Sequence, residues 1–116
     1  MAQQHKRLAL WSPAAEQDLL GIWDYFARAA APEVADNLLH EIKWATDRIV
    51  SVDPRMWRVR SDVMPHVRGG LRSAPIHPYI IFYRINPTPE RDDIEIIRVL
   101  HQERDLPTLL SDTAHQ

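Results

Sequence analysis

The residues able to do chemistry gather in the C-terminal half: Arg72, Tyr79, Tyr83, Arg84, Arg98, His101, Glu103 and Arg104, within or beside strand-like runs. Metal-free cleavage of RNA needs a base for the 2′-hydroxyl proton, an acid for the leaving oxygen and cations against the developing phosphorane charge. Histidine, glutamate, tyrosine and arginine can fill those roles. The same residues also have a purely structural reading. Arginine stems cover sheet faces while their heads pair with acids such as Asp92, Glu95 and Asp105. Tyr79 and Tyr83, four apart on a strand, share a face and can pack there. On side-chain chemistry alone, the structural reading is preferred.

Other chemistries lack their signatures. There is no phosphate-cradling glycine loop, no GxSxG elbow and no HExxH. Gly69-Gly70 reads as a bulge or turn, and His77 in IHPY as a turn residue before a strand. The histidines, at 5, 40, 66, 77, 101 and 115, show no ligand spacing, so neither a metal nor a cofactor is expected. Cysteine is absent, which excludes a disulfide framework and a thiolate nucleophile and points to a reducing compartment. MAQQHKR leads into no apolar signal segment and no run of 18 apolar residues follows, so a cytoplasmic protein is expected. The net charge of −2 argues against non-specific nucleic-acid binding. Arg55, Arg58, Arg60, Arg68, Arg72 and Arg84 nonetheless crowd the segment 53–84, whose acids are Asp53 and Asp62, so a local cationic surface stays open.

The elements that must position these residues follow from periodicity. At 45% hydrophobic and 26% charged residues, 116 residues suit one folded domain, 1–116, with its core at about 7–110. RLALW, 7–11, is a short strand; Ser12 and Pro13 supply an N-cap and a first helical residue. Ala15, Leu19, Ile22 and Phe26 then form an apolar helical stripe, widened by Leu20 and Trp23, with Glu16 and Asp18 where the helix dipole favours negative charge. Pro32 opens a second helix, with Val34, Leu38, Ile42, Ala45 and Ile49 on one face, that stops near Ser51. So short a link makes an antiparallel helical hairpin.

Residues 52–66 read mostly as loop, VRGGLRSAPI as an irregular or bulged strand, and PYIIFYRI and IEIIRVLH as two further strands paired antiparallel across NPTPERDD. Leu106 to Leu110 offers a helical turn. The order β-α-α-β-β-β is that of an α+β domain, with the hairpin on one face of a small, mainly antiparallel sheet.

Trp44 does not fit the apolar stripe of its helix. It lies about 200° around the axis from Ile42, on the side of Asn37, Glu41 and Arg48. Either the 52–66 loop, with Trp57, folds back over it, or the indole anchors a partner.

From about Leu8 to Leu110, the ordered set SPAAEQDLLGIWDYF, a second helix, GLRSAPIHPYIIFYRI and IEIIRVLHQERDL resembles the ParE branch of the RelE/ParE toxin superfamily. That resemblance implies a helical hairpin against a small antiparallel sheet. It also implies a toxin that inhibits DNA gyrase and is neutralised in a hetero-oligomer by a ParD-like antitoxin, whose C-terminal segment wraps the toxin. The branch offers no agreed catalytic set, so no catalytic residue is assigned. Arg72, Tyr79, Arg84, Arg98, His101, Arg104, Trp23 and Trp44 are instead candidates for a recognition surface over the sheet and first helix. Two alternatives stand beside this reading: a ribosome-dependent mRNA endonuclease like the RelE branch, and a non-toxic antitoxin-binding module of the same fold.

Overall fold

A computed structural model describes residues 9–50, 52–60, 70–90 and 92–102. Strand residues 7–8 and 67–69, loop residues 61–66, the expected turn at 106–110, Glu103 and Arg104 lie outside them. The chain runs β1 (Ala9–Trp11), α1 (Pro13–Ala29), α2 (Pro32–Ile49), β2 (Arg72–Ile76), β3 (Tyr79–Pro87) and β4 (Asp92–His101).

Helix α1 begins as its sequence dictates. Ser12 has extended backbone, its Oγ accepts the Ala15 N–H at 3.0 Å, and Pro13 occupies the first turn, where a missing N–H costs nothing. Ala15 and Leu19 are buried and Ile22 and Phe26 are half-buried. Leu20, expected to widen the stripe, is 57% exposed. The helix packs mainly against β4 and α2, and a residue turned 100° from Leu19 faces water.

A two-residue link, Ala30-Ala31, leads into α2, and the Trp23 indole N–H donates to Asp36 Oδ1 across the hairpin at 2.8 Å. The buried stripe of α2 runs through Ala35, Ile42 and Thr46, flanked by half-buried Leu38 and Leu39. Val34, expected at its head, is exposed. A polar residue is tolerated in this stripe because the Thr46 hydroxyl donates to the Ile42 carbonyl one turn back, at 2.7 Å.

The sheet has the order β1-β4-β3-β2. After β1 the helices carry the chain to the far edge, and two antiparallel hairpins bring it back until β4 lies parallel to β1, pairing Ala9 with Ile94 and Trp11 with Ile96. The register slips once, between Phe82–Arg98 and Tyr83–Ile96, which leaves Ile97 as an extra residue in β4. The irregularity therefore sits in β4. At the glycines, Gly70 takes φ +87° just before β2 starts, and a Cβ there would lie 3.1 Å from Val59 Cγ1. Val59 bridges Arg72, flanked by hydrogen bonds from Arg60 N–H to Leu71 and from Ser73 N–H to Arg58. Part of the expected loop thus covers the outer edge of β2, where an open strand would invite pairing with other chains.

Ile81, Tyr83, Ile94 and Ile96 are fully buried on the sheet face that receives Ala15, Leu19 and Ile42 from the helices. Phe82, of opposite parity on β3, is fully buried as well. Each such side chain withdraws enough apolar area to favour the fold by about 1.5–3 kcal/mol.

Candidate partner-binding site

The strand β1 is too short to follow β4 along its length. Its ladder ends at Trp11 opposite Ile96, just where β4 bulges. Side chains of the next element take over the pairing: the Ser12 hydroxyl donates to the Ile97 carbonyl at 2.8 Å, and Asp18 Oδ2 accepts the Val99 N–H at 2.9 Å. The same carboxylate holds Arg98 in a two-pronged ion pair, Nε to Oδ2 at 2.7 Å and Nη2 to Oδ1 at 2.8 Å. With both side chains about seven-eighths buried, this pair fixes α1 on β4 rather than offering a cation to solvent.

Beyond the pair lies a groove of about 600 Å³ between α1 and the end of β4. Ile22, Tyr25 and Phe26 form its helical wall, and Pro78, Tyr79 and His101 its sheet wall. Tyr79 and His101 are cross-strand partners, their rings edge to face with centroids 5.9 Å apart. Burial pushes the Tyr79 hydroxyl above its ordinary pKa, so it stays protonated and is no base near neutrality.

Of the expected cationic surface, Arg55, Arg60, Arg72 and Arg84 are engaged within the molecule, and Arg68 lies outside the described residues. Arg72 donates to the carbonyls of Arg55 (3.2 Å) and Trp57 (2.6 Å). Arg55 forks onto Asp92 at 3.1 and 3.2 Å, Arg84 pairs with Glu95 directly across the strands, and Arg60 donates to Ser73 at 3.2 Å. Arg72 also stands opposite Tyr83, whose buried hydroxyl donates to the Pro54 carbonyl. Burial pushes that hydroxyl up to about 12; Arg72 pulls it down and Asp53 adds to the rise. Together these contacts staple the 53–60 segment to the sheet.

Of the candidates, Tyr79, Arg98 and His101 come together at the groove. Arg72 engages the 53–60 segment, and Arg84, of opposite parity to Tyr79 on β3, pairs on β4 with Glu95. Trp23 braces the helical hairpin. Trp44 is 56% exposed, with the Arg48 guanidinium 4.6 Å from its ring, whereas Trp57 packs against the core cluster. The reading in which the 52–66 loop covers Trp44 is corrected for Trp57, which packs against the core cluster while Arg48, one turn away, stacks on the Trp44 indole; residues 61–66 lie outside the described residues. Among the described residues, no cluster of histidine, aspartate and glutamate could hold a metal.

The family model described as ParE toxin of type II toxin-antitoxin system, parDE, matches residues 9–106. The chain belongs to this family. Toxin ParE1 of Mycobacterium tuberculosis, in strains CDC 1551 / Oshkosh and ATCC 25618 / H37Rv, is 32% identical over 97 residues, covering 84% of this chain and 91% of that protein. A chain from the chromosomal ParDE TA system of P. aeruginosa has the same fold, with a TM-score of 0.65 at 20% identity, spanning 86% of this chain and 100% of its own. Seen as a ParE toxin, the chain puts its irregular strand and its groove side by side on α1. Asp18, which lines the groove, was read from the sequence as an acid favoured by the helix dipole, and its ion pair with Arg98, 80 residues away, had no local signal.

Proposed function

We propose that this chain is a toxin that inhibits DNA gyrase and is held inactive by direct binding of a ParD-type antitoxin. Family membership supports the toxin reading, and the observation that carries its non-catalytic character is the engagement of the arginines. A phosphoryl-transfer site needs cations aimed at a position a phosphate can occupy. Arg72, Arg84 and Arg98 are aimed at carbonyls or carboxylates of the chain itself. Such groups hold a recognition surface in shape. That surface extends, in this reading, over Tyr79, His101 and the outer edge of the Arg72 and Arg84 pairs, with Trp23 and Trp44 on the hairpin.

Purified protein added to gyrase and relaxed plasmid tests the reading. Loss of supercoiling, with translated mRNA left intact in a parallel cell-free reaction and activity restored by antitoxin, is the expected result. Codon-positioned cuts in that mRNA, abolished by His101→Ala, would replace it with the endonuclease reading. Neither effect, with tight antitoxin binding, would leave a binding module.

A further inference from the structure

Phe82 is buried on the side of the sheet away from the helices. Its neighbours in β3, Ile81 and Tyr83, face the helices and belong to the core cluster; Phe82 points the other way, as do Ile80 and its cross-strand partner Leu100. Yet Phe82 is 0% and Leu100 6% exposed, and neither belongs to that cluster. Among the described residues, the group found over Phe82 is the Arg60 guanidinium, 6.0 Å from the ring and bonded to Ser73 beside it. One planar cation does not withdraw both a phenyl ring on β3 and a leucine on β4 from water. The face has a further, apolar cover, and because this burial is that of a single chain, the cover is part of the chain itself.

We propose that residues 103–110, which lie outside the described residues, fold back over this second face and seat Leu106, Leu109 and Leu110 against Ile80, Phe82 and Leu100. The path of the chain selects this segment. The Gln102 N–H still bonds the Pro78 carbonyl at 3.0 Å, so the chain leaves the sheet two residues past Leu100. Phe82 stands opposite Arg98, four residues or about 13 Å back along the ladder, and an extended segment of the length of 103–110 spans about twice that distance. Leucines at 106, 109 and 110 recur at the spacing of one helical face. Residues 61–69 also carry apolar side chains, Val63, Met64 and Val67, but the Arg60–Leu71 hydrogen bond ties them to the β2 edge, two strands or about 10 Å from β4. The sheet is thereby closed on both faces in the free toxin, by the helical hairpin on one and by the chain's own C-terminal segment on the other, and a partner reaches Phe82 only when that segment lifts. This holds whatever the toxin acts on.

Nuclear Overhauser contacts in the full-length wild-type chain test the proposal directly. Methyl protons of Leu106, Leu109 or Leu110 are expected to contact the Phe82 ring and the Leu100 methyls. Contacts of the Phe82 ring with Val63, Met64 or Val67 in their place overturn the proposal and assign the cover to residues 61–69; contacts seen only between isotope-labelled and unlabelled chains overturn it in favour of a second copy. Thermal unfolding supplies an independent readout. Leu106→Asp, Leu109→Asp and Leu110→Asp are made singly, and the most damaging of them lowers the Tm by about 4 °C or more, since a carboxylate cannot enter an apolar face. Met56→Asp, at a side chain 61% exposed, serves as the reference for a surface substitution. If none of the three leucine variants melts lower than Met56→Asp, the segment does not cover the sheet.

Discussion

At the scale of the residue, Tyr83 shows how burial turns a reactive-looking group into a structural one. Its hydroxyl is fully enclosed and donates to Pro54, while Arg72 beside it is spent on two carbonyls. Tyrosine and arginine, which on paper could serve a ribonuclease, thereby become one staple for the 53–60 segment. The pH dependence follows with a definite sign. The folded-state pKa is pushed up to about 12 from an ordinary value of 10.0, chiefly by burial. Below pH 10 both states are protonated and the stabilisation is complete; between pH 10 and 12 the unfolded chain ionises while the folded one does not, so stability falls. The expected loss is about 2 kcal/mol across that window, read as a falling urea midpoint. Tyr83→Phe lowers stability at neutral pH and flattens this part of the profile; an unchanged slope in that variant would assign the alkaline loss elsewhere.

At the scale of the element, the decisive feature is the doubled isoleucine of IEIIRVLH. A regular strand buries every second residue, and here the buried series Ile94, Ile96, Val99 skips by two and then by three. That skip was legible in the sequence, because Ile96 and Ile97 cannot both face the core of an unbroken strand. Its consequence was not legible: beyond the bulge the edge of β4 needs partners that β1 is too short to give, and Ser12 and Asp18 provide them from α1. Removing Asp18 strips Arg98 of its counter-charge and Val99 of its acceptor together, in a site almost closed to water. Asp18→Ala is therefore expected to cost about 3 kcal/mol in chemical unfolding, more than surface ion pairs such as Arg28–Asp24, which contribute about 0.5 kcal/mol or less. A cost for Asp18→Ala no greater than for Asp24→Ala would show that the pair does not fasten the helix.

At the scale of the whole molecule, the chain answers the marginal stability of a small domain by closing its edges from within. The 58–60 segment covers the outer edge of β2, and α1 covers the β4 edge beyond the end of β1. Among the described residues, the groove on α1 and the outer side of the hairpin around Trp44 stay open to solvent. A partner that binds the folded chain alone must raise its apparent stability by mass action. Antitoxin at about 100 times its Kd is expected to add about 2.7 kcal/mol, seen as a concentration-dependent rise in the Tm of the toxin. A Tm independent of antitoxin concentration would mean that the two do not associate through the folded state.

The sequence by itself determined the order of elements, the start of α1 at Ser12-Pro13, the hairpin and the ParE kinship, because capping, periodicity and ordered motifs are local and need no knowledge of what lies opposite. Helix faces were fixed less well: Val34 and Leu20 ended in water since the boundary of a stripe depends on which neighbour covers it. Only the tertiary structure decided the fate of the arginines. Arg98 meets Asp18 across 80 residues, Arg55 meets Asp92 across 37, and Arg84 meets Glu95 through strand register. Whether a charge catalyses, recognises or merely ties depends on the group at the other end of its hydrogen bonds, and that group is chosen by the packing of distant segments.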